Sequence, residues 1–155
     1  MAGVPVGMRE QLTSAIFFQA LTLRLSALLP FELRGFEHRR QGRLTKFHYG
    51  HSSTHFETAH HPGSGRMEIG LHFEGDAELN QAAFDFFRSR MVEIKGALPE
   101  AELEPWDRGW SRLYETIPGP GLSSHLADTT ATRLAAQITT LQPLLNEFWR
   151  THGAS

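Results

Sequence analysis

Between Phe31 and Phe73 the residue pattern shifts to a period of two, with turn residues at Gln41-Gly42, Gly50-His51-Ser52-Ser53 and Pro62-Gly63-Ser64-Gly65. A period of two sends alternate side chains to opposite faces of a strand, and short breaks rich in glycine, serine and proline close hairpins rather than crossovers. The segment is therefore predicted as four consecutive antiparallel strands. Such a sheet has an apolar face that must be covered by another layer.

The flanking segments supply that layer. From Arg9 to Leu29, Leu12, Ile16, Ala20, Leu23 and Ala27 recur at spacings of three or four until Pro30 stops them, which predicts an amphipathic helix. Asp76 stands as a capping residue before a second helix that runs to about Lys95 and is closed by Gly96 and Pro99. Its apolar face is Leu79, Ala83, Phe86, Phe87, Met91, Ile94 and Leu98. Trp110 to Ile117 is predicted as a fifth strand, stopped by Pro118-Gly119-Pro120-Gly121. A last helix, from about Asp128 to Arg150, carries Leu134, Ile138, Leu141, Leu145 and Phe148 on one stripe, with Pro143 off it and bending rather than ending the helix.

The order is helix, four strands, helix, strand, helix. It predicts an α+β fold: a two-layer sandwich with a mostly antiparallel sheet of about five strands on three helices. At 155 residues and 40% hydrophobic, the chain makes one core, and residues 1–155 are read as a single domain.

Composition removes several function classes. A formal charge of -2 and a pI near 6.5 provide no global field toward nucleic acid or anionic lipid. The absence of cysteine excludes disulfides, thiolate metal sites and cysteine nucleophiles. No apolar run is long enough to span a bilayer, and Met1 to Glu10 lacks the basic region and apolar run of a leader, so a cytoplasmic protein with no membrane partner is expected. The glycine-rich nucleotide motifs and the Gly-x-Ser-x-Gly elbow are missing.

What remains is histidine. Five of the nine lie between His48 and His61. Closing the hairpins at Gly50 to Ser53 and Pro62 to Gly65 sets Phe47 against Phe56, His48 against His55, Phe56 against Leu71, His55 against His72 and His61 against Arg66. One face then carries Thr45, Phe47, Tyr49, Phe56, Met67, Ile69, Leu71 and Phe73, the expected core. The other carries Lys46, His48, His55, Glu57, His61, Glu68, His72 and Glu74. His48, His55 and His72 form a row with Glu57 and Glu74 beside it, a candidate zinc site because opposed Cβ atoms lie about 4.5–5.5 Å apart. Glu57 and Glu68 are a candidate acid and base pair, though two glutamates on an open face are expected to be solvated charges. His51, His60 and His61 are expected at turns or strand ends, as surface groups.

Arg34, Arg39, Arg40, Arg43 and Lys46 gather in the first hairpin, residues 34–46, as a candidate nucleic-acid or anion contact or as charges that protect an exposed edge. Trp106 and Trp110 flank Asp107-Arg108-Gly109 and are expected to cap the core beside the fifth strand.

The block Met67-Glu-Ile-Gly-Leu-His-Phe-Glu-Gly-Asp76, with Asn80, Phe84 to Phe87, Met91-Val-Glu-Ile-Lys-Gly96 and Glu104-Pro-Trp106, resembles a prokaryotic family of unknown function. Members of that family commonly follow a nuclease-like domain in longer proteins. The resemblance implies an α+β domain with a role beside DNA-processing partners and supplies no catalytic residues. The strand-rich middle also looks loosely like a restriction-type nuclease core, but Glu68-Ile69-Gly70 lacks the lysine of its Glu-x-Lys element and Glu93-Ile94-Lys95 falls in a predicted helix.

Three readings follow. The leading one is a non-catalytic accessory or protein-interaction module, homo-oligomeric through the open sheet face, with no cofactor. The second is a metal-dependent enzyme using zinc on His48, His55 and His72, with Glu57 as base. The third is a nucleic-acid binder acting through the basic hairpin.

Overall fold

The computed structural model describes residues 11–153. Among them the chain forms helix α1 (Ser14–Leu28) and strands β1 (Glu37–Gln41), β2 (Leu44–His48), β3 (Thr54–His61) and β4 (Arg66–Phe73). Helices α2 (Ala77–Ser89) and α3 (Met91–Ala97) follow, then β5 (Glu102–Pro105), β6 (Ser111–Pro118) and the long α4 (Ser124–His152). The strands form one antiparallel sheet in the order β1-β2-β3-β4-β6-β5. The fold is the expected α+β sheet on helices, with six strands and four helices where about five and three were predicted.

The hairpin registers stand as the turns require: Phe47 opposes Phe56, His55 opposes His72, Phe56 opposes Leu71 and His61 opposes Arg66. Phe47, Phe56, Met67, Ile69, Leu71 and Phe73 are wholly buried in one cluster with the inner faces of the helices. Side-chain oxygens start the helices: Thr13 accepts from the Ile16 N–H, Asp76 from Leu79 and Ser123 from Leu126. The cap at Ser123 starts α4 four residues before the expected Asp128, and Pro143 is carried inside it.

Three elements differ from expectation, each for a physical reason. The first is β5, whose four residues include a proline and carry no alternation long enough to read. The second is the break at Arg90, whose backbone (φ -107°, ψ 6°) separates α2 from α3. This break re-aims α3 so that Ile94 is buried, and the Arg90 guanidinium reaches Glu147 on α4 at 3.0 Å.

The third is the inward stripe of α1, which is not the predicted one. Phe17, Phe18, Leu21 and Leu25 are buried, whereas the expected Ile16 and Leu23 are 53% and 67% exposed. A helix apolar nearly all round admits more than one stripe, and the stripe bearing two phenylalanines removes the most apolar area from water. The helix also begins after Gln11–Thr13, while the expected first residues Arg9 and Glu10 lie outside the described residues.

Candidate metal centre on the polar face of the sheet

The face turned away from the helices is packed rather than solvated. His55 and His72 are each 2% exposed, Glu57 8% and Glu68 5%. This corrects the expectation of solvated glutamates on an open face. The residues stand on β3 and β4, the central strands, where neighbours on both sides cover them with long side chains. Arg112 on β6 closes one flank, held between the rings of Trp106 and Tyr114 at 3.9 and 3.8 Å. Gly70, between Glu57 and Tyr114 in the register, keeps that layer close to the strands.

Directly opposed positions form a row across four strands: His55, His72, Arg112 and Glu104. Carboxylates fill the gaps. The His72 ring nitrogens lie 2.9 Å from Glu74 Oε2 and 2.9 Å from Glu68 Oε2, and Arg112 anchors Glu68 at 2.6 Å and Glu104 at 2.7 Å. Burial works against the His72 imidazolium, but the hydrogen bonds to Glu68 and Glu74 and the charge of Glu57 outweigh it and hold its pKa at about 9. Burial likewise opposes the charged forms of Glu68 and Glu74. The hydrogen bond and charge of His72 overcome it, with help from Arg112 at Glu68 and from His55 and Lys46 at Glu74, and both pKa values fall below the ordinary glutamate value.

His55 is held differently. Its Nδ1 lies 2.9 Å from the Ser52 carbonyl oxygen, which can only accept, so Nδ1 carries the hydrogen. In the neutral ring the other nitrogen, Nε2, is then a lone pair. It faces Glu57 Oε1 at 3.3 Å and Glu74 Oε1 at 3.8 Å, two acceptors. In that form the three lone pairs repel unless a proton on Nε2 or a metal cation lies among them. Fixing Nδ1 on a backbone carbonyl is also how proteins orient a metal-ligating imidazole.

His55, Glu57, His72 and Glu74 each offer a ligand atom, and the four atoms lie within 4.8 Å of one another. Tetrahedral donors on one ion at about 2.0–2.2 Å lie about 3.3–3.6 Å apart, so the widest pair of this group would close by about an ångström around an ion. Among the described residues no other group of histidine and carboxylate side chains meets this test. Charge balance points the same way. Glu57, Glu68, Glu74 and Glu104 face two permanent cations, Lys46 and Arg112, which leaves two negative charges for imidazole protons or a divalent cation to neutralise. A cavity of about 420 Å³ opens onto His55 and Glu74, which gives the centre access from solvent.

The structure thus brings His55 and His72 together, with their rings 5.7 Å apart and nearly parallel, and sets His48 apart. The Nε2 of His48 pairs with Glu37 on the edge strand at 3.1 Å, and the residue lines the rim of the cavity. Glu57 joins the candidate ligand group, while Glu68 lies outside it, hydrogen-bonded to His72 Nε2. Arg112, Glu104 and Tyr114 were not anticipated: β6 returns after two helices and β5, so no turn length fixes its register.

Of the remaining histidines, His60 is a correction. It is buried on the core face and lies 2.8 Å from the Gly119 carbonyl, because its even spacing from Phe56 places it there rather than in the turn. His51 stacks on Trp149 at 3.7 Å, and His61 is half-exposed beside Glu68. The basic hairpin divides between faces. Arg39 and Lys46 are opposed on the polar face, Arg40 lines a cavity against α1, Arg34 bonds the Leu29 carbonyl at the end of α1, and Arg43 lies exposed in the turn. Trp106 is partly exposed and serves Arg112. A larger cavity, about 870 Å³ between β6 and α4, is lined by the buried Glu115 and its bidentate partner Arg133 and lies apart from the histidines of the sheet.

Comparisons of the chain with protein-family models, with curated proteins and with solved structures found no match.

Proposed function

We propose that this domain binds one divalent cation on the polar face of its sheet through His55, Glu57, His72 and Glu74. The observation that carries the reading is the His55 imidazole, locked by Ser52 with Nε2 directed at two buried carboxylates. Two imidazoles and two carboxylates without sulfur suit zinc, manganese or iron(II). A cation there takes up the two excess negative charges, and the cavity leaves a coordination position free, as a metal-dependent enzyme requires. Glu68, anchored by Arg112, orients the second imidazole.

The test is calorimetric titration of tag-free, chelator-treated protein with zinc. One equivalent is expected to bind, and Glu57→Gln, which keeps the side-chain size, to weaken binding at least about tenfold while preserving the circular dichroism spectrum. A folded Glu57→Gln protein with unchanged affinity would sink the proposal. His55→Ala serves as a second variant.

A second reading, an interaction module that associates with another copy of itself, has its own observation. Ile16, Leu23, Leu28 and Phe31 stand exposed on or just after α1, on the helix layer rather than on the sheet face first expected to mediate association. Sedimentation velocity would show a concentration-dependent dimer that Leu23→Glu abolishes; a monomer at all concentrations contradicts it.

A further inference from the structure

We propose that the cavity beside the metal centre seats a small oxyanion, a phosphoryl or carboxylate group, with one oxygen on the cation and the others on Arg39 and Lys46. The inference rests on the metal reading and names the ligand class of that same centre.

The cavity floor is His55 and Glu74, two of the four ligands, and its walls come from β1, β2 and the loop before β3. Those walls are donor-rich. Among the described residues Arg39 makes no ion pair, and the hydroxyls of Ser52 and Ser53 have no hydrogen-bond partner. Lys46 reaches only Glu74 Oε1, at 3.6 Å, a long contact that a cation on Glu74 would weaken further. Arg39 and Lys46 are directly opposed in the register, so their charges flank one opening.

The same loop holds the ligands. The Ser52 carbonyl accepts from His55 Nδ1, and the Ser53 carbonyl accepts from the Glu74 N–H at 2.8 Å, so the wall is tied to the floor. With a divalent ion bound, the four glutamates are balanced by the ion, Lys46 and Arg112, and the charge of Arg39 is left over at the opening. A guanidinium and an ammonium beside an open coordination position favour oxygen anions over neutral or cationic ligands. The volume of about 420 Å³ suits a small molecule.

Two successive calorimetric titrations test this. Zinc is added first, to wild type and to Arg39→Ala, a substitution on an exposed edge strand; methylphosphonate or acetate is added second. Both proteins are expected to take one equivalent of zinc with the same affinity. Methylphosphonate or acetate should then bind zinc-loaded wild type at least about tenfold more tightly than metal-free wild type, and Arg39→Ala should lose about tenfold of that affinity. The tighter of the two anions identifies the phosphoryl or carboxylate class. Zinc uptake with no gain in anion affinity, or an unchanged anion affinity in Arg39→Ala, overturns this inference alone. No zinc uptake by wild type overturns the metal reading and this inference with it.

Discussion

At the scale of single residues, the proposed metal would compete with a proton for His72. Its folded pKa of about 9 lies above the ordinary 6.5, so in metal-free protein its imidazolium contributes stability that is fully present below pH 6.5 and lost as the pH rises through about 9. Glu68 and Glu74 are shifted down, so their contribution is present above the ordinary 4.5 and lost on acidification. The melting temperature of chelator-treated protein should therefore fall from pH 6.5 to pH 9. Zinc affinity should rise over the same range, because the ion displaces the proton. A flat melting profile across that window would contradict this account of His72. The pairing of His55 with His72 was legible in the sequence, since turn length and alternation set it. The direction of the His48 ring was not: it turned to Glu37, because the final contacts of a side chain depend on neighbours that periodicity does not name, whereas the core placement of His60 follows from its even spacing from Phe56.

Among the elements, the central strands and α1 make opposite points. Gly70 lies where β4 and β6 approach, and a Cβ there would stand 2.9 Å from the Leu113 carbonyl oxygen and 3.0 Å from the Tyr114 Cα. Gly70→Ala should destabilise the protein by about 1–3 kcal/mol in urea unfolding, since backbone rather than a flexible side chain must give way. Helix α1 shows where pattern reading fails. Strands β2 to β4 and the face of α4 were legible because each had one apolar face, and the wholly polar β1 because a short turn pairs it with β2, whereas α1 offered several stripes. Leu25→Ala on the buried stripe should cost about 2–5 kcal/mol, and Leu23→Ala on the exposed one under about 0.5 kcal/mol. Equal costs would mean that the packed stripe is misassigned.

For the whole molecule, the proposed ligands come from β3 and β4 and their immediate continuation, so a bound cation would fasten the middle of the six-stranded sheet to itself. Binding to the folded state alone adds about 2.7 kcal/mol at a hundredfold excess over Kd, which in a domain of this size raises the melting temperature by about 5–10 °C. Glu57→Gln should remove that rise. The polar face illustrates why such a centre is hard to foresee from sequence. Alternation places Glu57 and Glu68 outward, and only the assembled sheet, with Arg112 laid across it between two aromatic rings, turns an outward face into a buried one. The most direct test is a crystal structure of the zinc-soaked protein with anomalous data collected on both sides of the zinc absorption edge. A single strong anomalous peak about 2.0–2.2 Å from donor atoms of His55, Glu57, His72 and Glu74 is the expected result, and no peak at that position would contradict the account.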